Sequence, residues 1–281
     1  MTDGKIPLAG VLQTAERISA ITGIYDHWLE ATGLPGRYVP LTVQLEDLGE
    51  VIKMLPKAGF IGLNITRPYQ NVVLDHADIV TDRAALMSGA NTIIFRRDGR
   101  VHADNTDGYG FIENIRQNAP GWNPKSGPAA IFGAGRAARE AVAAMLEVGV
   151  EEIRIANRTR PRAEALRAEF GGRIRVFDWV GAGNAIEGAA TIVNATPLGS
   201  PRHQELRVPL DGLRPGSVVS DLAISPKTTR LLHVAIEAGC YPVDGIGMAL
   251  YQAAPAFERW YGQRPEVDAA ARAAVIEAYT E

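Results

Sequence analysis

The chain has 281 residues, a length that suits two domains and is ample for a sizeable core. With 46% apolar residues, 22% charged residues and a formal charge of −3, it is ordinary globular material, and no basic stripe marks it for nucleic acid. A single cysteine, Cys240, excludes an internal disulfide framework and suits a reducing compartment, with its neighbours "EAGCYPV" making it a small buried residue. The segment "MTDGKIPLAG" has no apolar stretch flanked by basic residues, and no run approaches membrane-spanning length. A cytoplasmic protein without membrane contact is therefore expected, in which the Asn-x-Thr triplets are not glycosylated.

Short apolar runs alternate with segments of helical period, the pattern of an α/β protein with largely parallel sheets. "KIPLAGV", "RYVPLTV" and "GFIGLNI" read as strands. Between the last two, Leu45, Leu48, Val51, Ile52 and Leu55 recur at helical spacing. "NTIIFRRDGRVHADNTDG" reads as a hairpin turning at Asp98-Gly99. The stretch 118–128, "NAPGWNPKSGP", is dense in Pro, Gly and Asn and marks a domain boundary. Beyond it, "PAAIF", "EEIRIANRT", "RIRVF", "ATIVNAT" and "SVVSDLA" supply strands, with helices over "RAAREAVAAMLEVG" and from Pro161 to Phe170. "GIGMALYQAAPAFERWYG" and "PEVDAAARAAVIEAYT" are helical. The division expected is a substrate domain over 1–117, a dinucleotide domain over 118–244, and a return of 245–281 to the first domain.

Two stretches carry chemistry. "NITRPYQ", Asn64 to Gln70, leaves a buried strand with an amide, a hydroxyl and a cation, and Pro68 stops the strand. "IFGAGRAAREA" follows a strand and opens a helix, and Gly133, Gly135 and Ala138 match the G-x-G-x-x-[GA] fingerprint. Gly133 permits the turn, Gly135 lets the backbone approach a pyrophosphate, and the helix N-terminus offers free N–H groups. About 20 residues on, an NAD site places an Asp or Glu, but here "NRTRPR" crowds Arg158, Arg160 and Arg162 together. Arginine forks suit the 2′-phosphate of NADP.

Taken together, "GLNITRPYQ", "GANTI", "HADNTDGYGF", "FGAGRAARE", "NRTRPRAEAL", "NATPLG" and "GIGMALYQAAPAFERWYG" resemble, in order, the motifs of the shikimate dehydrogenase family. The resemblance covers nearly the whole chain. It implies an N-terminal α/β substrate domain, a Rossmann domain, C-terminal helices closing back on the first domain, and a place in aromatic amino acid biosynthesis. It also implies that Asn64, Thr66, Asn91 and Gln252 meet the substrate, and that Asp107 performs proton transfer. Cofactor contacts fall by the same resemblance on Gly133, Ala134, Gly135, Arg136, Ala137, Asn157, Arg158, Thr159, Arg162, Thr196, Gly245 and Met248.

Three departures bear on the substrate. Nothing in "TAERISAITGIYDHW" matches the family's early Ser-x-Ser pair, Ile224 stands where the family has a substrate-binding Tyr, and Gln70 replaces the catalytic Lys. With Asp107, Gln70 is expected in the catalytic site: it keeps the lysine's hydrogen-bonding position and orients a substrate oxygen, but offers no titrating proton. Tyr69 and His102 are neighbours able to exchange protons in its place, although residues in such positions more often serve packing. Arg67 suits either an acidic substrate group or a surface charge. Asp107 suits either a place facing the interdomain cleft or a helix cap. His27, His76, His203 and His233 lack metal-ligand spacing, so no metal is expected.

The function expected is an NADP-dependent dehydrogenase acting on a secondary alcohol or ketone of a cyclic polyhydroxylated acid other than shikimate, as a monomer or homodimer. True shikimate or quinate oxidation by a rearranged proton route is the alternative within enzymes. A catalytically silent NADP-binding sensor is the alternative outside them.

Overall fold

The computed structural model describes residues 6–15, 21–200, 203–224 and 228–280. The first sheet is built from β1 (Leu8–Gln13), β2 (Arg37–Thr42), β3 (Phe60–Ile65), β4 (Ile79–Val80), β5 (Thr92–Phe95) and β6 (Val101–Asp104). Helices α1 (Ile21–Thr32), α2 (Leu48–Met54), α3 (Tyr69–Val72) and α4 (Asp82–Leu86) connect them. The strand order is β2-β1-β3-β5-β6-β4. β1 pairs in parallel with β2 and β3, and β5 runs antiparallel to β3 and β6. Pro40 sits on the edge strand β2, where a missing N–H costs no ladder bond. The hairpin turns at Gly99, whose φ of +84° suits a residue without a side chain.

Helix α5 (Asp107–Asn118) precedes the second sheet. That sheet comprises β7 (Ala129–Phe132), β8 (Ile153–Asn157), β9 (Ile174–Asp178), β10 (Thr191–Asn194), β11 (Val218–Asp221) and β12 (Tyr241–Val243). Its connections carry α6 (Arg136–Glu147), α7 (Arg160–Phe170) and α8 (Arg230–Glu237). The order is β12-β11-β10-β7-β8-β9 with every pairing parallel. This is the doubly wound dinucleotide order, and the winding reverses between β7 and β10, where such sheets bind ligands.

Strands covered on both faces read as unbroken apolar runs, and β7 shows how. Ala129 and Ile131 face the α6 side, among Ala138, Ala141, Val142 and Met145. Ala130 and Phe132 face the other side, with Ile192, Val219, Leu231, Leu232 and Ala235. The two-residue alternation of a strand thus feeds two cores at once.

Helices α9 (Gly245–Tyr261) and α10 (Ala269–Thr280) end the chain. By contact density the chain forms two units: Met1–Asp107 with Gln252–Glu281, and Gly108–Tyr251. These divisions fall at the start of α5 and within α9, whereas the Pro/Gly-rich stretch 118–128 belongs wholly to the second unit. Composition marks exposed loops, and here both divisions run along helices instead. In the first unit, Trp260 of α9 donates from Nε1 to the carbonyl of Ile93 (3.2 Å), and a side chain at Gly62 would collide with its indole. Trp28 of α1 likewise donates to the carbonyl of Glu266 at 2.9 Å.

Candidate active site

The first unit gathers a buried polar cluster at the ends of β3, β5 and β6. Asn64 Nδ2 donates to the carbonyl of Asn91 at 3.3 Å. A carbonyl only accepts, so the other amide atom, Oδ1, faces Tyr38, whose hydroxyl donates across 2.7 Å. The same reasoning orients Asn91. The backbone N–H of Thr106 reaches its amide at 3.1 Å, so that atom is Oδ1, and Thr92 Oγ1 (2.9 Å) and Thr106 Oγ1 (3.1 Å) donate to it as well. Nδ2 is thereby turned to Asp107 Oδ1, 2.7 Å away, and that carboxylate oxygen is the acceptor.

Asp107 is buried, at 8% exposure, and is the first residue of α5. Its backbone N–H is capped by Asn105 Oδ1 at 3.0 Å, so Asn105 closes the turn into the helix. The Asp107 carboxylate lies in the first turn, where the helix dipole favours an anion. Asn105 is itself held, with Nδ2 donating to the carbonyl of Gly89 at 3.0 Å and its backbone N–H to Asp104 Oδ1 at 2.8 Å. Asp104, 1% exposed, takes a bidentate fork from Arg83 (2.7 and 2.6 Å) and a bond from Thr81 Oγ1 at 2.9 Å. Arg259 of α9 approaches it at 3.7 Å. Burial pushes the Asp104 carboxyl up, but the bonds and charge of Arg83 outweigh burial and leave it below its ordinary value. Nothing local in the sequence marks this buried carboxylate, because its arginine partners come from α4 and α9.

The remaining residues of the first stretch divide between this cluster and its frame. Thr66 donates from Oγ1 to the carbonyl of Leu12 (2.6 Å), tying the loop to β1. Gln70, on α3, folds its amide back so that Nε2 donates to the carbonyl of Ile65 at 2.9 Å. Tyr69 is buried, its hydroxyl donates to the carbonyl of Val43, and burial raises its pKa. His102 lies on β6 opposite Ile94, and burial together with Arg259 pushes its pKa down. Arg67 is exposed and makes no ion pair among the described residues. Gln252 is half-buried on α9, next to Ala253, whose carbonyl accepts from Tyr25 at 3.1 Å. Ile224 follows β11, half-buried. The stretch in which the serine pair was sought falls partly outside the described residues, at 16–20.

In the second unit the glycine turn sits where the sheet order reverses. Gly133 follows β7 with φ +110°, and a Cβ there would come within 2.9 Å of the carbonyl oxygen of Ala195, just beyond β10. At Gly135 a Cβ would meet nothing within 4 Å, so the backbone opens onto room for a ligand. Ala134 packs on the core, and Ala137 is half-buried in the first turn of α6. Arg136 donates from Nε to the buried Glu140 at 2.7 Å, so its charge is balanced along its own helix. Asn157 donates to the carbonyl of Thr159 at 2.8 Å, closing the turn after β8.

The three arginines are not equivalent. Arg160 is taken by Asp178 (2.7 Å) and Glu164 (3.1 Å), whereas Arg158 and Arg162 are exposed and make no ion pair among the described residues. Reading all three as one phosphate cluster overcounts, because Asp178 is supplied by β9 and is 18 residues away from Arg160 in the chain. Thr196 is fixed by Asn194, which takes its backbone N–H at 3.1 Å and its Oγ1–H at 2.7 Å. Asn194 then donates to the buried Asp221 at 3.0 Å, a link that sequence spacing does not reveal. Asp244 caps α9 through the N–H groups of Ile246 and Gly247 (3.1 and 3.2 Å). Gly245, whose Cβ would meet the carbonyl of Leu222 at 2.7 Å, opens that helix, and Met248 packs on the α6-side core. Among the described residues, no helix is long and apolar enough to cross a membrane and no His/Cys/Asp/Glu group could hold a metal.

Fold and site define a dinucleotide-binding α/β protein with a separate amide–carboxylate cluster. Family models match the chain in three stretches: the shikimate dehydrogenase substrate binding domain over 17–93, shikimate/quinate 5-dehydrogenase over 117–209, and the shikimate 5′-dehydrogenase C-terminal domain over 245–275. A shikimate dehydrogenase (NADP(+)) of Cereibacter sphaeroides (strain KD131 / KCTC 12085) is 56% identical over 272 residues, covering 97% of this chain and 98% of that protein. The shikimate 5-dehydrogenase of Thermus thermophilus, solved with NADP(H) and shikimate, superposes with a TM-score of 0.79 at 31% identity, covering 98% of this chain and 99% of that one. The ligand-free 5-ketofructose reductase of Gluconobacter sp. strain CHM43 does so with a TM-score of 0.84 at 27% identity, over 98% of this chain and 99% of that one. The chain belongs to the shikimate dehydrogenase family.

Proposed function

We propose that this NADP-dependent dehydrogenase acts on a secondary alcohol or ketone of a cyclic polyhydroxylated acid other than shikimate. NADP, when bound, supplies or takes up the hydride. The turn from Gly133 to Ala137 would hold its pyrophosphate, and Arg158 and Arg162 its 2′-phosphate. The open space at Gly135 and the two exposed guanidinium groups fit that cofactor.

The chain's own side chains handle the proton and the orientation. Asp107 accepts the proton that leaves the substrate hydroxyl on oxidation and returns it on reduction. Asn64 and Asn91 present amide N–H groups, and Thr66 and Gln252 complete the polar surround. The bond from Asn91 to Asp107 carries this reading: with the Asn91 oxygen taken by Thr92 and Thr106, its NH2 holds the carboxylate as an acceptor.

The move away from shikimate rests on Gln70 and Ile224. Gln70 has no charge with which to stabilise a developing alkoxide, and it spends one N–H on Ile65. The shared fold with a ketofructose reductase is compatible with a different carbonyl substrate. A second reading, true shikimate or quinate oxidation by a rearranged proton route, is favoured by relatives at 56% identity that are shikimate dehydrogenases (NADP(+)). Cys240, buried and donating to the carbonyl of Arg214, suits a reducing compartment such as the cytoplasm.

Steady-state turnover with NADP+ across shikimate, quinate and other cyclic hydroxy acids tests the proposal. Robust shikimate oxidation overturns the shifted substrate. Tight NADPH binding with no turnover on any compound leaves a silent sensor instead.

A further inference from the structure

We infer that the stacked pair Tyr25–Tyr38 is the positioning element of the substrate site, with Tyr38 fixing Asn64 as a hydrogen-bond donor toward substrate and Tyr25 bracing the backbone beside Gln252. The inference rests on the reading above that Asn64 and Gln252 meet the substrate.

The two rings lie parallel, 1° apart in plane with centroids 4.0 Å apart, and both are buried. Trp260 and Phe257 of α9 close around Tyr25 at centroid distances of 5.6 and 6.0 Å, and Trp28 meets its edge at 5.8 Å. Ring packing alone would be served by two phenylalanines. The hydroxyls do something more specific. Tyr38 donates to Asn64 Oδ1 at 2.7 Å, and Tyr25 donates to the carbonyl of Ala253, one residue from Gln252, at 3.1 Å. One stack therefore reaches Asn64 on β3 and the backbone one residue from Gln252 on α9.

Burial holds both phenols well above their ordinary pKa, so each remains a protonated donor at any working pH. At Asn64 this has a defined consequence. One amide hydrogen points at the Asn91 carbonyl and the amide oxygen points at Tyr38, so what the side chain has left for a ligand on its nitrogen is N–H. A substrate oxygen is met by a donor, and flipping the amide would turn its oxygen against the Asn91 carbonyl oxygen, two acceptors facing each other.

Tyr38→Phe keeps the ring and the stack and removes only the hydroxyl. Activity is read with NADP+ or NADPH on whichever of shikimate, quinate and 5-ketofructose the native protein turns over fastest. The expected result is a fall in kcat/KM of about tenfold, carried mainly by KM, with NADPH affinity unchanged. In an Asn64→Ala background the same substitution should cost nothing further, because it acts through Asn64. Tyr25→Phe should raise KM alone, and should add nothing in a Gln252→Ala background. Independently of turnover, the Asn64 side-chain amide resonances, identified by their loss in Asn64→Ala, should move in Tyr38→Phe. Native kinetics in Tyr38→Phe, additive losses in the double variant, or unmoved amide resonances each overturn the inference. Where none of the three compounds is turned over, the resonance comparison decides the role of Tyr38, while the wider panel of cyclic hydroxy acids decides the proposed function.

Discussion

Gln70 donates from Nε2 to the carbonyl of Ile65, 2.9 Å away across the turn that leaves β3. The side chain that the family resemblance sets at a lysine position is therefore part of the loop's own hydrogen bonding. An ammonium there would carry three donors and a charge; the amide has two N–H groups, and one is engaged. This residue frames the loop more than it faces outward.

The Gln70→Lys variant tests how much of the site remains. On the proposed substrate shift, the unaltered protein should show very low activity on shikimate with NADP+, and the variant no more than a modest gain, because the resemblance also puts Ile224 in place of a tyrosine. Initial rates at saturating NADP+ decide it. A large gain would show that only the lysine is missing.

Asp107→Asn should lower turnover by about 10²- to 10⁴-fold while leaving cofactor affinity in place. An amide oxygen can still accept from Asn91, so the cluster keeps its bond and the melting temperature should hold. Activity within a few-fold of the native protein would reduce Asp107 to a helix-terminus residue.

NADP(H) should bind more tightly than NAD(H). Arg158→Ala should cost on the order of 1.5–3 kcal/mol of that preference, the loss of one charge-assisted phosphate contact. Arg160→Ala should cost far less, since Asp178 and Glu164 already engage that guanidinium. Fluorescence titration of the reduced cofactors measures both, and equal affinity for the two nucleotides in the native protein would refute the assignment.

Arg83→Ala should destabilise the protein by about 1–3 kcal/mol at neutral pH, leaving Asp104 buried with weaker compensation. The folded carboxyl lies below its unfolded value of about 3.9, so its contribution is complete at neutral pH and fades as pH falls through the folded value. The gap between native and variant proteins should therefore shrink below pH ~4. Urea denaturation at several pH values reads this directly. A gap that does not change with pH would assign the loss to packing.

Much of the second unit is legible in the sequence because its signals are local. A strand, a glycine turn and a helix lie within twenty residues, and Gly133, Gly135 and Ala138 act through backbone geometry that each residue type imposes on its own position. The hairpin at Asp98-Gly99 likewise follows from its turn residues. Elements without such signals are missed. Helix α1 and the short strands β4 and β12 carry no cap or turn signature strong enough to stand out, and α8, although Thr229 caps its first turn, is only eight residues long; all are held by what packs on them.

The polar cluster of the first unit belongs to tertiary structure. Residue type says that Asn64 and Asn91 can donate or accept. Only the Asn91 carbonyl, Tyr38 and Thr106, brought from elsewhere in the chain, determine which atom of each amide points where. Asp178 selects Arg160 out of three neighbouring arginines, and α4 and α9 supply the guanidinium groups that allow Asp104 to be buried as an anion. The physical reason is common to all of them. Backbone preference acts within a few residues, whereas hydrogen-bond direction and charge compensation depend on partners that only the folded chain brings within about 3 Å.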